Sequence, residues 1–120
     1  MTAYDAIVIG TGQAGPFLAR RLATAGMSVA VIERGLVGGT CINTGCTPTK
    51  TLVASAEAAH IARRAADFGV SIAGPVGIDM KRVKARKDAV VEASRKSVLA
   101  GLSVENCTLY RDQARFIAPH

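Results

Sequence analysis

Tyr4-Asp5-Ala6-Ile7-Val8-Ile9 runs apolar into a glycine, and the residues just after it leave the chain few ways to fold. A short apolar run of this kind reads as a buried parallel strand. After it comes Gly10-Thr11-Gly12-Gln13-Ala14-Gly15, a G-x-G-x-x-G loop. Its glycines serve a tight turn, close approach of a pyrophosphate, and close packing of helix on strand. A helix is expected from about Gln13 to Ala25, with its first amides aimed at phosphate. Pro16 falls in the first turn, where a missing donor is tolerated. Ala19 is small where that helix crosses the sheet, and Gly26 is placed to end it. Ser28–Glu33 reads as a second strand. Glu33 closes it with a carboxylate, 18 positions beyond Gly15. Dinucleotide folds place an acid there to accept hydrogen bonds from adenosine ribose hydroxyls. The glycine loop alone would fit any glycine-rich turn. Strand, loop, helix, strand and acid together predict an α/β fold with a parallel sheet and a dinucleotide site.

The second constraint is Gly38–Lys50, which reads G-G-T-C-I-N-T-G-C-T-P-T-K. It holds Cys41 and Cys46, five positions apart. Free cysteines are often inert buried side chains, so spacing alone decides little. On a regular helix a five-residue offset turns about 140° away, and the two thiols would not face each other. A disulfide needs Cα atoms roughly 4.4–6.8 Å apart. The segment is therefore expected to be a distorted turn running into a helix. Gly45 permits unusual backbone angles, and Pro48 is harmless in a first helical turn. The helix is expected to start near Cys46 or Thr47 and to continue through Thr51-Leu52-Val53-Ala54. A thiol at a helix N-terminus sits in a positive field that favours the thiolate, and Lys50 could add charge.

This stretch resembles the active-site signature of the flavoprotein disulfide reductases, the family of dihydrolipoyl dehydrogenase, glutathione reductase and mercuric reductase. Their pattern is G-G-T-C-x-N-x-G-C-x-P-x-K, and Gly38–Lys50 matches every fixed position. The resemblance implies a Rossmann-like FAD-binding domain in which the early glycine loop serves FAD. Its implied cofactor-binding residues are Gly10, Gly12, Gln13, Ala14, Gly15, Glu33, Arg34, Gly39, Thr40, Cys46 and Lys50. The implied catalytic pair is Cys41 and Cys46. By that analogy Cys46 lies against the flavin, Cys41 is the interchange thiol that attacks substrate, and Lys50 tunes the flavin ring. Electrons would pass from NAD(P)H through FAD to the Cys41–Cys46 disulfide, then to a disulfide or metal-ion substrate. The T-P-T-K ending lacks the serine that many dihydrolipoyl dehydrogenases and mercuric reductases show before the lysine. The stretch as a whole is most similar to mercuric reductase-like members. The family's catalytic histidine comes from a partner subunit's C-terminal domain, so that role does not transfer to His60, which is expected to be a partly exposed helix residue.

Length sharpens the implication. At 120 residues the chain allows one modest domain. Against the family pattern, residues 1–120 are expected to be the N-terminal part of the FAD-binding domain, with the nicotinamide-binding and dimerisation domains absent. The full-length form would be a homodimer. No apolar run is long enough to cross a bilayer, and no secretory signal is visible. Three cysteines then suggest redox chemistry in the cytoplasm rather than a disulfide scaffold. The net charge of +6 comes largely from Lys81, Arg82, Lys84, Arg86, Lys87, Arg95 and Lys96. No aromatic residues interleave with them for base stacking. The alanine-rich apolar side is also weak for a membrane-surface helix. A solvated or internally packed helix face is expected, with neither nucleic acid nor membrane as partner.

The remaining elements come in order along the chain. Helical pattern continues from Ser55 to about Asp67, and Phe68–Gly77 is a glycine-rich connector. Asp79 is placed to cap a helix over about Met80–Ala100. Its packed face is expected at Met80, Val83, Val90, Ala93 and Ser97 or Val98. A third strand is expected to end near Arg111, with Cys107 in the core. Ala114–Ala118 reads as a further short strand, with Pro119-His120 as its turn. Two other classes of function compete. One is a stand-alone flavin- or thiol-binding module without turnover. The other is a metal-binding domain on Cys41 and Cys46, although C-x-x-x-x-C without nearby ligands is poor zinc spacing.

Overall fold

The computed structural model describes residues 2–118. Its centre is a three-stranded parallel sheet of β1 (Ala6–Ile9), β2 (Val29–Ile32) and β3 (Cys107–Tyr110), in that order across the sheet. Val8 pairs with Val31 and Val31 with Leu109, so the register runs straight across. Between β1 and β2 lies α1 (Gly15–Thr24). Between β2 and β3 lie α2 (Gly39–Asn43), α3 (Cys46–Arg63), a short 3-10 turn (Ala65–Phe68) and α4 (Met80–Leu102). Two right-handed crossovers that step the same way put both connections on one face of the sheet. The packing agrees: Val8, Val29 and Val31 are buried against Ala19 and Ala23 of α1 and Leu102 of α4. Cys107 packs at the edge of this core, as its sequence context predicts, and burial pushes its thiol up.

Ala19 is fully buried, which explains a residue with no bulk where α1 crosses the strands. Pro16 sits in the first turn of α1, and Gly26 takes φ of +90° just past its end. The other face of the sheet carries Ile7 and Ile9, both exposed. Tyr4 folds back over that face. Its hydroxyl lies 2.5 Å from that of Tyr110, with the rings edge-on.

The long helices leave the sheet as an antiparallel hairpin, and the molecule measures 68 × 27 × 20 Å. Asp79 caps α4 as expected, accepting from the amides of Lys81 and Arg82 at 2.9 and 3.1 Å. Arg86 belongs to the seam between the helices: its guanidinium donates to the Thr51 carbonyl at 2.9 Å and to the Ser55 hydroxyl at 3.3 Å. Lys84 and Lys87 both pair with Asp88, and Arg95 with Glu92. The basic stretch is thus partly internal and partly self-neutralised.

Two expectations are corrected. The inward face of α4 is not Met80, Val90 and Ala93, which are exposed. Val83 and Val98 face inward as expected, and Lys87, Val91 and Leu102 complete the seam. Polar residues in that heptad-spaced seam hid it from the apolar pattern. Ala114–Ala118 is not a strand. It runs on past β3, where among the described residues no neighbouring strand offers a ladder, and Phe116 and Ile117 stand exposed. Pro119 and His120 lie outside the described residues.

Candidate functional site

The site is built where β1 and β2 end. The loop after β1 turns at Gly10, whose φ is +92°. Gly15 then packs so tightly under it that a Cβ would stand 2.3 Å from the Gly10 carbonyl oxygen. This is the close helix-to-strand packing expected of the third glycine. Gly12 has the opposite surroundings: nothing lies within 4 Å of where its Cβ would be. The space belongs to a cavity of about 440 Å³ lined by Thr11, Gly12, Gln13, Gly38, Cys41 and Thr47, with α4 forming its far wall. A glycine facing open space at a helix N-terminus is what an incoming phosphate group requires.

The cysteine segment departs from the expected distorted turn. Cys41 sits in a short helix, α2, and Cys46 is the first residue of α3. Gly38 at φ +106° and Gly39 at φ +62° bend the chain into α2. A Cβ on Gly39 would lie 2.8 Å from the Gly12 Cα, so α2 is pressed onto the glycine loop. Gly45 breaks the two helices apart, with φ −113° and ψ −112°. The break folds the start of α3 back onto α2, so that a Cβ on Gly45 would stand 3.4 Å from the Cys41 Cα. Both thiols are free.

The hydrogen bond to Cys46, with burial and the neighbouring sulfur's charge, pushes the Cys41 thiol up. The Cys46 amide and the Lys50 ammonium oppose this. Lys50, one turn into α3, is exposed but acts on the Cys41 thiol through its charge.

A second cavity, of about 300 Å³, opens beyond the strand ends and is lined by Gly10, Glu33, Arg34 and Asp112 among others. Glu33 is already engaged. Its Oε2 accepts from the Thr11 amide at 2.9 Å and the Thr11 hydroxyl at 2.5 Å, and its Oε1 from the Gly35 amide at 2.8 Å. Partial burial pushes its carboxyl up. The bonds from Thr11 and Gly35, with the Arg34 charge, outweigh this and hold it below the usual range.

The structure thus gathers Gly12, Gln13 and Cys41 around one cavity, and Gly10, Glu33 and Arg34 around the other. Ala14, Thr40, Cys46 and Lys50 line neither, although Thr40 supports the break by accepting from the Thr44 and Gly45 amides. Two residues went unsingled in the sequence. Thr11 is buried at the edge of the first cavity, bonded to Glu33 of the second. Asn43 clamps the approach to α2, its amide donating to the carbonyls of Leu36, Val37 and Gly39. A fixed asparagine between two cysteines was the available signal for Asn43; Thr11 gave none. Among the described residues, no three potential ligand side chains gather as a metal site would require.

A glycine loop, a strand-terminal acid and a nearby dithiol define a dinucleotide-binding redox protein. A family model described as pyridine nucleotide-disulphide oxidoreductase matches residues 4–118, and the chain belongs to that family. It is 37% identical over 118 residues to the dihydrolipoyl dehydrogenase of Bacillus subtilis (strain 168), which covers 98% of this chain and 25% of that protein. It is 42% identical over 106 residues to the mercuric reductase of Streptomyces lividans, covering 87% and 22%. The Cu(II) complex of the HOCl-induced flavoprotein disulfide reductase RclA from Escherichia coli has a TM-score of 0.74 and 38% identity, covering 98% of this chain and 23% of that one. The chain spans about a quarter of the length of these relatives. Family members are FAD-binding flavoproteins that use NAD(P)H. The family and the partial FAD-domain fold are as the signature implied. Matches to both dihydrolipoyl dehydrogenase and mercuric reductase give no preference between them. No helix among the described residues is long and apolar enough to cross a membrane.

Proposed function

We propose that this chain is the FAD-binding, dithiol-bearing part of a cytoplasmic NAD(P)H-dependent disulfide oxidoreductase that works as a homodimer when full length. The observation that carries this reading is the placement of Cys41 in α2, lining the glycine-loop cavity, with Cys46 at the start of the next helix. The residues fit FAD. The Gly12 side of the cavity is open for a pyrophosphate, and Glu33 can accept from a ribose hydroxyl. Gly10, Gln13, Ala14, Gly15 and Arg34 would complete the adenosine-diphosphate end, and Gly39, Thr40, Cys46 and Lys50 the flavin side. The chemistry supplied by bound FAD is the relay of an electron pair from reduced nicotinamide to the Cys41–Cys46 disulfide.

The chain's own residues do the rest. The Cys41 thiolate attacks a substrate disulfide, forms a mixed disulfide and expels the first thiolate, which takes a proton. The Cys46 thiolate then attacks the Cys41 sulfur, closes the Cys41–Cys46 bond and releases the second product thiol. The substrate is a small disulfide or, in the mercuric reductase-like reading, a thiol-bound metal ion. Lys50 favours the thiolate needed for attack.

The test uses the protein as its source makes it. NADPH and NADH oxidation are measured with wild type, Cys41→Ser and Cys46→Ser. Turnover should fall below detection in both variants. With FAD bound, Cys41→Ser should keep a long-wavelength thiolate–flavin absorbance and Cys46→Ser should lose it; the reverse would exchange the two roles. A wild-type chain that binds FAD yet never oxidises nicotinamide would favour the stand-alone module.

A further inference from the structure

Thr11 occupies the second position of the glycine loop, where nothing in the dinucleotide fingerprint asks for a hydroxyl. It is 1% exposed. Its hydroxyl meets two partners: Glu33 Oε2 at 2.5 Å and the Gly38 amide at 3.1 Å. The Gly38 amide can only donate, so the hydroxyl accepts there and gives its single proton to Glu33. The direction of this short chain of bonds is therefore fixed. It runs from Gly38 through Thr11 to the carboxylate.

Each end matters. Gly38 is the cap residue of α2, three positions before Cys41. Glu33 faces the 300 Å³ cavity, while Thr11 faces the 440 Å³ cavity that Cys41 also lines. The Thr11–Glu33 bond joins a residue of one cavity to a residue of the other. A carboxylate offers about four acceptor sites, two on each oxygen. Oε2 has both filled by Thr11, through its amide and its hydroxyl. Oε1 has one filled, by Gly35. A single acceptor site on Oε1 remains for a ligand hydroxyl.

We infer that Thr11 is a positioning residue that couples the ribose-binding carboxylate to the dithiol, so that occupancy at Glu33 is felt at Cys41. This rests on the FAD reading for the identity of the ligand, but not for the coupling between Thr11 and Cys41. Removing the hydroxyl strands the Gly38 amide, frees an acceptor site on Oε2 and loosens the cap of α2. The helix that carries Cys41 is then held less firmly against the glycine loop, and the Cys41 thiol becomes more reactive.

Wild type, Thr11→Ser and Thr11→Val are compared, in the chain as its source makes it. Valine keeps the shape and removes the hydroxyl; serine keeps the hydroxyl. Iodoacetamide labelling of Cys41 is followed by peptide mass across neutral pH, first without ligand and then with AMP. AMP carries the ribose but is too short to reach the thiols. FAD affinity is read from flavin fluorescence. Thr11→Val should label Cys41 roughly threefold faster than wild type without ligand. It should bind FAD roughly tenfold more weakly, as expected for a lost hydrogen bond to a charged group. AMP should change Cys41 labelling in wild type and Thr11→Ser but not in Thr11→Val. If Thr11→Val does not fold by circular dichroism, Thr11→Ala takes its place in the same comparison. Equal labelling in all three proteins overturns the inference, as does equal disturbance by serine and valine. Failure of the wild type to bind FAD would overturn the functional reading alone, because the unliganded labelling comparison still decides the coupling.

Discussion

Two regions of this molecule are both rich in apolar residues, and only one of them forms a core. In the β1–α1–β2 unit, Val29 and Val31 are fully buried and Gly15 is locked against Gly10. In the outer half of the α3–α4 hairpin, Ile61, Phe68, Val70, Ile72, Ile78 and Met80 are all exposed. The first region closes one face of its strands, because α1 returns onto them, while Ile7, Ile9, Phe17 and Leu18 stay exposed. The second cannot do so, since two antiparallel helices bury only the seam between them and leave their outer faces without a third layer. An exposed apolar surface of this kind marks a place where other protein packs. The difference teaches that apolar content does not define a core; closure does.

Glycine substitutions break the comparison most sharply. A Cβ at Gly15 would meet backbone, which cannot rotate away, at 2.3 Å. Gly15→Ala should destabilise the chain by about 3 kcal/mol, the upper part of the range for overpacking, and should abolish FAD binding. In the hairpin connector a Cβ at Gly77 meets nothing within 4 Å. Gly77→Ala should stay within about 0.5 kcal/mol of wild type. Urea unfolding of the two variants measures both. Similar losses would show that the connector is packed more tightly than its open surroundings imply.

A smaller effect should separate the regions by location. Asp79 holds the first turn of α4 through two accepted bonds. Asp79→Ala should cost about 1 kcal/mol, the usual value of a helix N-cap. Hydrogen exchange should show the loss at the start of α4, with the amides of β1 and β2 unchanged. Faster exchange in the strands as well would mean that hairpin and sheet open as one unit.

The same contrast explains what could be read in advance. The glycine loop, Pro16, Ala19, Gly26 and Asp79 act through backbone rules within a few residues, so their sequence positions announced them. Glu33 was legible as a strand-terminal acid, but its grip on Thr11 was not. That bond joins residues 22 positions apart and depends on where two strands end. The inward face of α4 was misread because Lys87 lies in the seam at a place where pattern reading asks for an apolar residue. Cys41 and Cys46 were legible as a pair, while the helix that carries Cys41 was hidden by two glycines that usually signal a turn. Ala114–Ala118 has strand-like composition, but composition cannot supply the partner a ladder needs.

The two regions also hold their acids differently, and pH can tell them apart. Glu33 is held below its usual range by internal bonds that offset its burial. Asp88 is pushed down to about 2 by hydrogen bonds from Lys84 and Lys87 on an open helix face. Both folded values are depressed. Each acid therefore contributes stability that is fully present above its unfolded value and is lost as pH falls through the folded one. For Asp88 that window runs from 3.8 down to about 2, and for Glu33 it opens below 4.5. Salt separates them, since exposed pairs are screened and internal bonds are not. Unfolding midpoints of Glu33→Gln and Asp88→Asn, followed through the acid range, should show this. Glu33→Gln should flatten the acid-side decline at both low and high salt, and Asp88→Asn only at low salt. If the Glu33 contribution also vanished in salt, its bonds to Thr11 would behave as surface contacts, and the acid end of the glycine loop would be as open as the hairpin.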